Sequence, residues 1–443
     1  MTYPEQHPDA PVAQDDGILL WSSVRKSWPS LPRKQRIRLV VAAADCLRAL
    51  WAQGVDLQQL PLVYMAFAGT GESERALFPP RITPAREQKL KTAGIVECLA
   101  SWLADTRAVL APRECVLFLR RFLGQAPLDR GDIHAIARHV ERRSNRLARD
   151  RALSLYTQFL RAADHGHGDV HGVWNLNKDL HPRLLLKAVQ AAETDPATRR
   201  IKAGSTIVVM RATLLGHDVL IKRYELKGWY DRLRYRTRPS KARRSWAAAQ
   251  TLTALDIPTP PALGYVEVRE GKTPVISYAL TEYVSGSIPV YRWLKQQARR
   301  MTAEQKDEVK SLLPRMLLQL YDHGIYHADT KLPNLLVQHH ASPSERRFYW
   351  IDLECVMPGA RPTRHRIVRN LVQMNGSVRH WVTEEDRMTV LRHFAQRYPW
   401  LLKPKVIEKM RAWTVERLVK EVRRHTPPDG RSQISNFKSQ ISA

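Results

Sequence analysis

The hydrophobic pattern of this chain changes period partway along its length. From Pro32 the apolar residues Ile37, Leu39, Val40, Leu47, Leu50 and Trp51 recur three and four apart, and Gly54 closes the run, which predicts an amphipathic helix. Further helical runs, including Val116 to Leu123 and the basic stretch Ile133 to Arg151, extend this character to about residue 162. Almost no strand signal precedes residue 200. At 201 the period shortens: Ser205 to Met210 and Val219 to Lys222 are β-branched runs around Leu215-Gly216-His217-Asp218, a predicted hairpin turn. Helix is predicted again over Ser240 to Leu255, strands over 262–268 and 275–283, and helices from Ser285 onward, with Leu312 to His323 the last before residue 326.

These elements divide the chain into a mobile polar tail over 1–30, a helical domain over 31–162, a linker or lid over 163–200, a β-rich lobe over 201–284, a helical lobe over 285–426 and a disordered tail over 427–443. Strands, one helix, strands, then helices is the order of an α+β, bilobal, protein-kinase-like fold with a β-rich small lobe and a helical large lobe. The 163–200 stretch carries His165-Gly166-His167-Gly168, but no cysteine or helical histidine pair accompanies it, so it is assigned no metal.

Composition narrows the partners. With 443 residues the chain is long enough for two or three folding units, and 44% apolar residues argue against wholesale disorder. A net charge of +28 favours a polyanionic partner: nucleic acid, an anionic membrane face or a phosphorylated substrate. Cys46, Cys98, Cys115 and Cys355 fit no metal or disulfide spacing and read as reduced thiols of a cytosolic protein. The acidic, proline-containing start does not read as a signal peptide. No uninterrupted apolar run reaches the roughly 20 residues that span a bilayer, so the expectation is a soluble or peripheral protein.

The chemistry is concentrated in His327-Ala328-Asp329-Thr330-Lys331-Leu332-Pro333-Asn334, of the form H-x-D-x-K-x-x-N, with Ile351-Asp352-Leu353-Glu354 a short hairpin later. Phosphoryl transfer from ATP needs a carboxylate beside the attacking hydroxyl, a cation on the γ-phosphate and oxygen ligands for Mg²⁺. Asp329 and Lys331 are the residue types for the first two, and Asn334 and Asp352 for the metal, in kinase order. His327 reads as structural. Lys222, at the end of the third small-lobe strand, suits the α- and β-phosphates. Glu282-Tyr283-Val284-Ser285-Gly286, between an apolar strand and a helical region, suits the hinge that meets the adenine edge, with Glu282 and Val284 as the binding residues.

The segment 223–246 interleaves Arg232, Arg234, Arg236, Arg238, Lys241, Arg243 and Arg244 with Trp229, Tyr230 and Tyr235. Beside an ATP cleft, such a segment favours an anionic membrane surface or substrate phosphate over nucleic acid, for which no base-reading module is visible.

Val219-Leu220-Ile221-Lys222-Arg223-Tyr224, Ser240-Lys241-Ala242-Arg243-Arg244-Ser245-Trp246, Asp256 to Pro260, His327 to Val337, Ile351-Asp352 and Arg369-Asn370-Leu371 together resemble the lipopolysaccharide core kinases, the Kdo and heptose kinases of Gram-negative bacteria. The resemblance covers about 200–425. It implies a eukaryotic-kinase-like fold, ATP with Mg²⁺, and phosphorylation of an inner-core sugar hydroxyl, or another anionic glycolipid, by a cytoplasmic protein peripheral to the inner membrane. Two departures stand out. Only Ala203-Gly204-Ser205 precedes the first strand where a glycine-rich loop is expected, leaving Gly204 and Ser205 as the phosphate-covering candidates. No glutamate stands on the following helix to pair with Lys222, where Ser245 and Gln250 occur and Gln250 is the available hydrogen-bond partner.

Leu47 to Val55 echoes Leu317 to Ile325, and Phe118 to Phe122 echoes Leu391 to Tyr398. Residues 31–162 therefore read either as a degenerate second large lobe, lacking H-x-D at Val55 to Leu60, or as an unrelated helical domain. As a degenerate lobe they would be catalytically dead, a scaffold or a surface for a protein partner. Rival functions are a kinase for protein or small molecules, a membrane-associated pseudokinase scaffold and, last, a nucleic-acid-binding protein.

Overall fold

The computed structural model describes residues 18–20, 28, 31–53, 66–68, 75–77, 99–100, 112–123, 130–162, 166–297, 301–338, 347–378 and 382–425. One compact unit runs to Ala148 and a second from Arg149. The first contains the helices α1 (Arg33–Ala52) and α2 (Pro112–Leu123), the start of α3 (Arg130–Ala162), and a three-stranded antiparallel sheet of β1 (Ile18–Leu20), β2 (Ala66–Ala68) and β3 (Arg75–Leu77). Its core is built by the three- and four-residue spacing of Leu39, Val40, Ala43 and Leu47 on α1 and of Phe118, Leu119 and Phe122 on α2. Arg121 of α2 holds Asp45 of α1 with two hydrogen bonds of 2.7 and 2.8 Å. The sheet is a feature the sequence pattern does not predict, because three-residue strands are too short to show alternation. Residues 18–20 and the buried Trp28 also correct the expectation of a mobile tail throughout 1–30. Val55 to Leu60 and 427–443 lie outside the described residues.

The second unit holds the candidate site. A seven-stranded antiparallel sheet has the order β4 (Gly166–His167), β5 (Val170–Trp174), β9 (Ala262–Glu270), β10 (Thr273–Glu282), β8 (His217–Glu225), β7 (Ile207–Leu214), β6 (Arg199–Ala203). Helix α4 (Pro182–Thr194) packs on one face through Leu185, Val189 and Ala192, against Met210, Ile221 and Leu280. On the other face α6 (Lys241–Ala254) packs Ala242, Trp246 and Ala247 against Tyr224, Tyr265 and Ala279. The 163–200 stretch is thus not a linker. It contributes two strands and a helix to the small lobe, and Gly172 is needed there because a Cβ would lie 2.8 Å from Tyr265 O on the neighbouring strand. The predicted hairpin turn closes on Leu215 and Gly216, whose φ values of 50° and 82° suit a two-residue loop.

Backbone 283–286 leads to β11 (Ser287–Pro289), α7 (Val290–Gln297) and α8 (Ala303–Asp322), the last started by a capping box of Thr302 and Gln305. Then come β12 (Ile325–His327), β13 (Leu335–Gln338), β14 (Arg347–Trp350), β15 (Val356–Pro358), α9 (Arg364–Asn375), α10 (Glu384–Ala395) and α11 (Pro404–His425). Strand β13 pairs with β14 and β11, and β12 with β15. The large-lobe core gathers Trp293, Leu317, Leu320, Ile325, Leu335, Trp350, Phe394 and Leu401. No helix among the described residues is long and apolar enough to cross a membrane.

Candidate active site

Alternation along β8 aims Lys222. Val219 and Ile221 face α4, so Lys222 and Tyr224 face the opposite side of the sheet, toward α6 and the large lobe. Lys222 lies within the strand, which continues to Glu225, rather than at its end. Its ammonium donates to Asp352 Oδ1 at 2.6 Å and to Glu354 Oε1 at 2.8 Å. Burial acts to lower the Lys222 pKa, but Glu354 and Asp352 outweigh it, and the net direction is up. The lysine stays charged.

Asp352 takes a left-handed backbone, φ 59° and ψ 46°, a conformation that Asp tolerates better than most residues. It swings the chain out of β14 into the single 3₁₀ turn Leu353–Cys355, which packs against α6. Ile351 N donates to Asn334 O at 3.0 Å, fixing the two ends of the β13–β14 hairpin side by side. Asn334 donates from Nδ2 to Asp329 O at 2.9 Å and to Asp329 Oδ2 at 3.1 Å, and Lys331 Nζ lies 3.4 Å from Asp329 Oδ1. Lys222 with Asp352, and Asn334 with Asp329 and Lys331, are therefore two polar groups joined by the backbone bond between Ile351 and Asn334.

His327 is fully buried beneath this loop, with Nδ1 accepting from Asp329 N at 3.2 Å and Nε2 3.2 Å from Ile351 O. Burial lowers its pKa, against the opposing pull of the Ile351 carbonyl. A neutral ring with its proton on Nε2 satisfies both bonds, so His327 ties the loop that carries Asp329 to the segment that leads into Asp352. From α9, Asn370 donates to His327 O at 2.8 Å and accepts from Tyr321 at 2.6 Å, while Gln373 donates to Ala328 O at 2.8 Å and accepts from Thr330 N at 2.9 Å. His327, Ala328 and Thr330 are thus held by one helix face.

Three carboxylates, Asp329, Asp352 and Glu354, meet two lysines here. This local negative surplus suits a divalent cation. Asp352 Oδ2 and the Asn334 side-chain carbonyl have no protein donor among the described residues, which leaves them available as hard oxygen ligands. No group of three or more His, Cys, Asp or Glu side chains poised to hold a metal occurs among the described residues. A two-ligand protein set is the kind Mg²⁺ accepts when phosphates complete its shell.

The remaining candidates sit around the cleft differently. Gly204 and Ser205 are exposed in the β6–β7 hairpin, where Gly204 N donates to Ile207 O at 2.9 Å. In the hinge, Glu282 N donates to Pro261 O at 2.9 Å and Val284 O accepts from the Ser287 hydroxyl at 2.7 Å, so those two groups already have protein partners. Gln250 donates to Ala262 O at 3.4 Å and is not the partner of Lys222. The basic segment divides in two. Arg243 and Tyr235 are buried and Arg244 donates to the Tyr235 hydroxyl at 3.2 Å, which makes these structural. Trp229, Tyr230 and Leu233 of α5 (Trp229–Tyr235) are open to solvent.

Glu354 is the site residue that sequence reasoning leaves without a role. Its signal is the D-x-E spacing after β14 combined with the lack of any acid between Lys241 and Ala254.

A lysine, an aspartate in H-x-D-x-K-x-x-N and a following aspartate, assembled between a sheet-built and a helical lobe, define a phosphotransferase of the kinase class. Residues 192–394 match the model of the Lipopolysaccharide kinase (Kdo/WaaP) family. Among solved structures, "WaaP in complex with acyl carrier protein" is similar at 19% identity, with a TM-score of 0.43, over 56% of this chain and 98% of that chain. No curated protein matches the chain.

Proposed function

We propose that the chain is an ATP- and Mg²⁺-dependent kinase that phosphorylates a sugar hydroxyl of the lipopolysaccharide inner core, on Kdo or heptose, at the cytoplasmic face of the bacterial inner membrane. The observation that carries the reaction class is the convergence of Lys222, Asp329, Lys331, Asn334 and Asp352, with Lys222 and Asp352 130 residues apart in sequence and 2.6 Å apart in space. The family match over 192–394 supports the acceptor class.

Asp352 and Asn334 would hold Mg²⁺, and the bound nucleotide would supply the phosphoryl group with part of its charge neutralised. Asp329 orients the acceptor hydroxyl and takes its proton as the new P–O bond forms. Lys331, beside Asp329, offsets charge on the transferring group. Lys222 turns to the α- and β-phosphates. A glycolipid acceptor also gives α5 a partner. Trp229, Tyr230 and Leu233 are 76%, 66% and 60% exposed, and Lys227, Arg234, Arg236 and Arg238 beside them have no ion-pair partner among the described residues. Aromatic and basic side chains so arranged suit an anionic bilayer surface.

The test is transfer of radiolabelled phosphate from ATP to purified core lipopolysaccharide. Transfer by the natural chain and none by Asp329→Asn supports the reading. Label on protein or small molecules, with none on lipopolysaccharide, would move the acceptor elsewhere within the same fold. A pseudokinase scaffold is the second reading, favoured by the missing acid on α6. It predicts that the natural chain transfers phosphate to nothing.

A further inference from the structure

We propose that Glu354 is the fixed carboxylate partner of Lys222, taking the part that a glutamate on the helix behind the sheet plays in other kinases. This rests on the kinase reading above. A phosphate-binding lysine on the third strand needs a carboxylate to hold its extended rotamer, and protein kinases supply it from that helix. Here α6 reads Lys-Ala-Arg-Arg-Ser-Trp-Ala-Ala-Ala-Gln-Thr-Leu-Thr-Ala and contains no acid. Ser245 is buried and too short for the task, and the Gln250 amide is turned to Ala262 O.

The acid comes from the other side of the cleft. Glu354 Oε1 accepts from Lys222 at 2.8 Å, with 12% of the glutamate side chain and 15% of the lysine side chain exposed. The 3₁₀ turn that carries Glu354 is held at both ends: Leu353 is buried in the core, and Cys355 O accepts from Ala328 N at 2.9 Å. Tyr224 forms the floor, its ring centroid 5.3 Å from Lys222 Nζ. Glu354 Oε2 is enclosed and makes no hydrogen bond among the described residues.

The two carboxylates on Lys222 are not equivalent. Asp352 is 40% exposed by side chain and keeps Oδ2 open to the cleft, whereas Glu354 is enclosed. Asp352 would be the carboxylate that holds a divalent cation, whose charge would relieve the repulsion between the two carboxylates sharing one ammonium. Glu354 then keeps the lysine in place. The lysine and metal sites are thereby served by one D-x-E turn of the large lobe, and α6 need not move to complete them.

The experiment reads Lys222 itself in the full chain before any nucleotide is added. Modification of Lys222 by trinitrobenzenesulfonate, followed by peptide mass spectrometry, should accelerate several-fold in Glu354→Gln, because a paired ammonium is a poor nucleophile. Affinity for a fluorescent ATP analogue without Mg²⁺ should fall roughly tenfold or more, the scale of one charge-assisted hydrogen bond. Lys222→Met with Glu354→Gln should bind no more weakly than Lys222→Met alone. Asp352→Asn should instead lose the Mg²⁺-dependent gain in affinity. Glu354→Asp should restore part of what Glu354→Gln loses, and thermal melts check that each variant is folded. The proposal falls if Glu354→Gln leaves Lys222 reactivity unchanged, if its effect is additive with Lys222→Met, or if its loss appears only with Mg²⁺, which would make Glu354 a second metal ligand. Failure of the natural chain to bind nucleotide, with Lys222 reactivity still controlled by Glu354, would sink the kinase reading while leaving the pair intact.

Discussion

Asp329 is half-buried and anchored by Asn334 from one side and by Lys331 from the other, so its shape and its charge can be tested separately. Asp329→Asn preserves the shape and removes the proton acceptor. It should lower kcat by about 10²- to 10⁴-fold with little change in nucleotide affinity, measured by steady-state kinetics and by titration of an ATP analogue. His327 gives a different signature. Its pKa is lowered in the folded chain, so the unfolded chain takes up the proton first as pH falls below about 6.5. Stability contributed by the neutral ring is therefore complete above that pH and declines as pH falls toward the folded value. Melting temperatures between pH 7.5 and 5 should fall more steeply for the natural chain than for His327→Gln. Equal slopes would mean that His327 is not held neutral.

At the scale of elements, α9 acts as a brace. Asn370 and Gln373 hold the carbonyls of His327 and Ala328 and the amide of Thr330. Asn370→Ala leaves the Tyr321 hydroxyl and the His327 carbonyl buried without partners, at a cost of about 2–4 kcal/mol by chemical denaturation. It should also lower kcat roughly tenfold, because the loop that carries Asp329 loses its seat. Asn370 shows in the sequence only within the Arg369-Asn370-Leu371 run, and Gln373 has no signal there. What was legible was local and periodic: the H-x-D-x-K-x-x-N loop, the β13–β14 hairpin and the Leu215-Gly216 turn. What escaped was short or long-range. β4 and β5 are two and five residues long and interrupted by glycine, and the helical spacing of Leu185, Val189 and Ala192 lies in a stretch that reads as polar at both ends. The partner of Lys222 escaped because it lies 132 residues away, across the cleft.

For the whole molecule, a net charge of +28 makes salt the natural variable. The unpaired cations near α5 should bind phosphatidylglycerol-containing vesicles and not neutral ones, with binding falling steeply as ionic strength rises. Replacing Trp229, Tyr230 and Leu233 together by Ser should weaken vesicle sedimentation even at low salt, while leaving ATP-analogue affinity unchanged. Loss of nucleotide affinity in that variant would mean that α5 supports the fold of the small lobe rather than a membrane contact.

The order of strands in the seven-stranded sheet carries a consequence for how the chain is made. β5 pairs only with β4 and β9, and β9 is synthesised after β6, β7, β8 and α6. Through that interval the apolar side of α4 has no completed sheet to cover, and the edge of β5 away from β4 has no strand to pair with. Long-range pairing of this kind slows folding and prolongs exposure of sticky intermediates. Pulsed hydrogen exchange during refolding should protect the β7–β8 hairpin early and the amides of Val170 to Trp174 late. The sheet of the small lobe is thus complete only once β10, to Glu282, has cleared the ribosome.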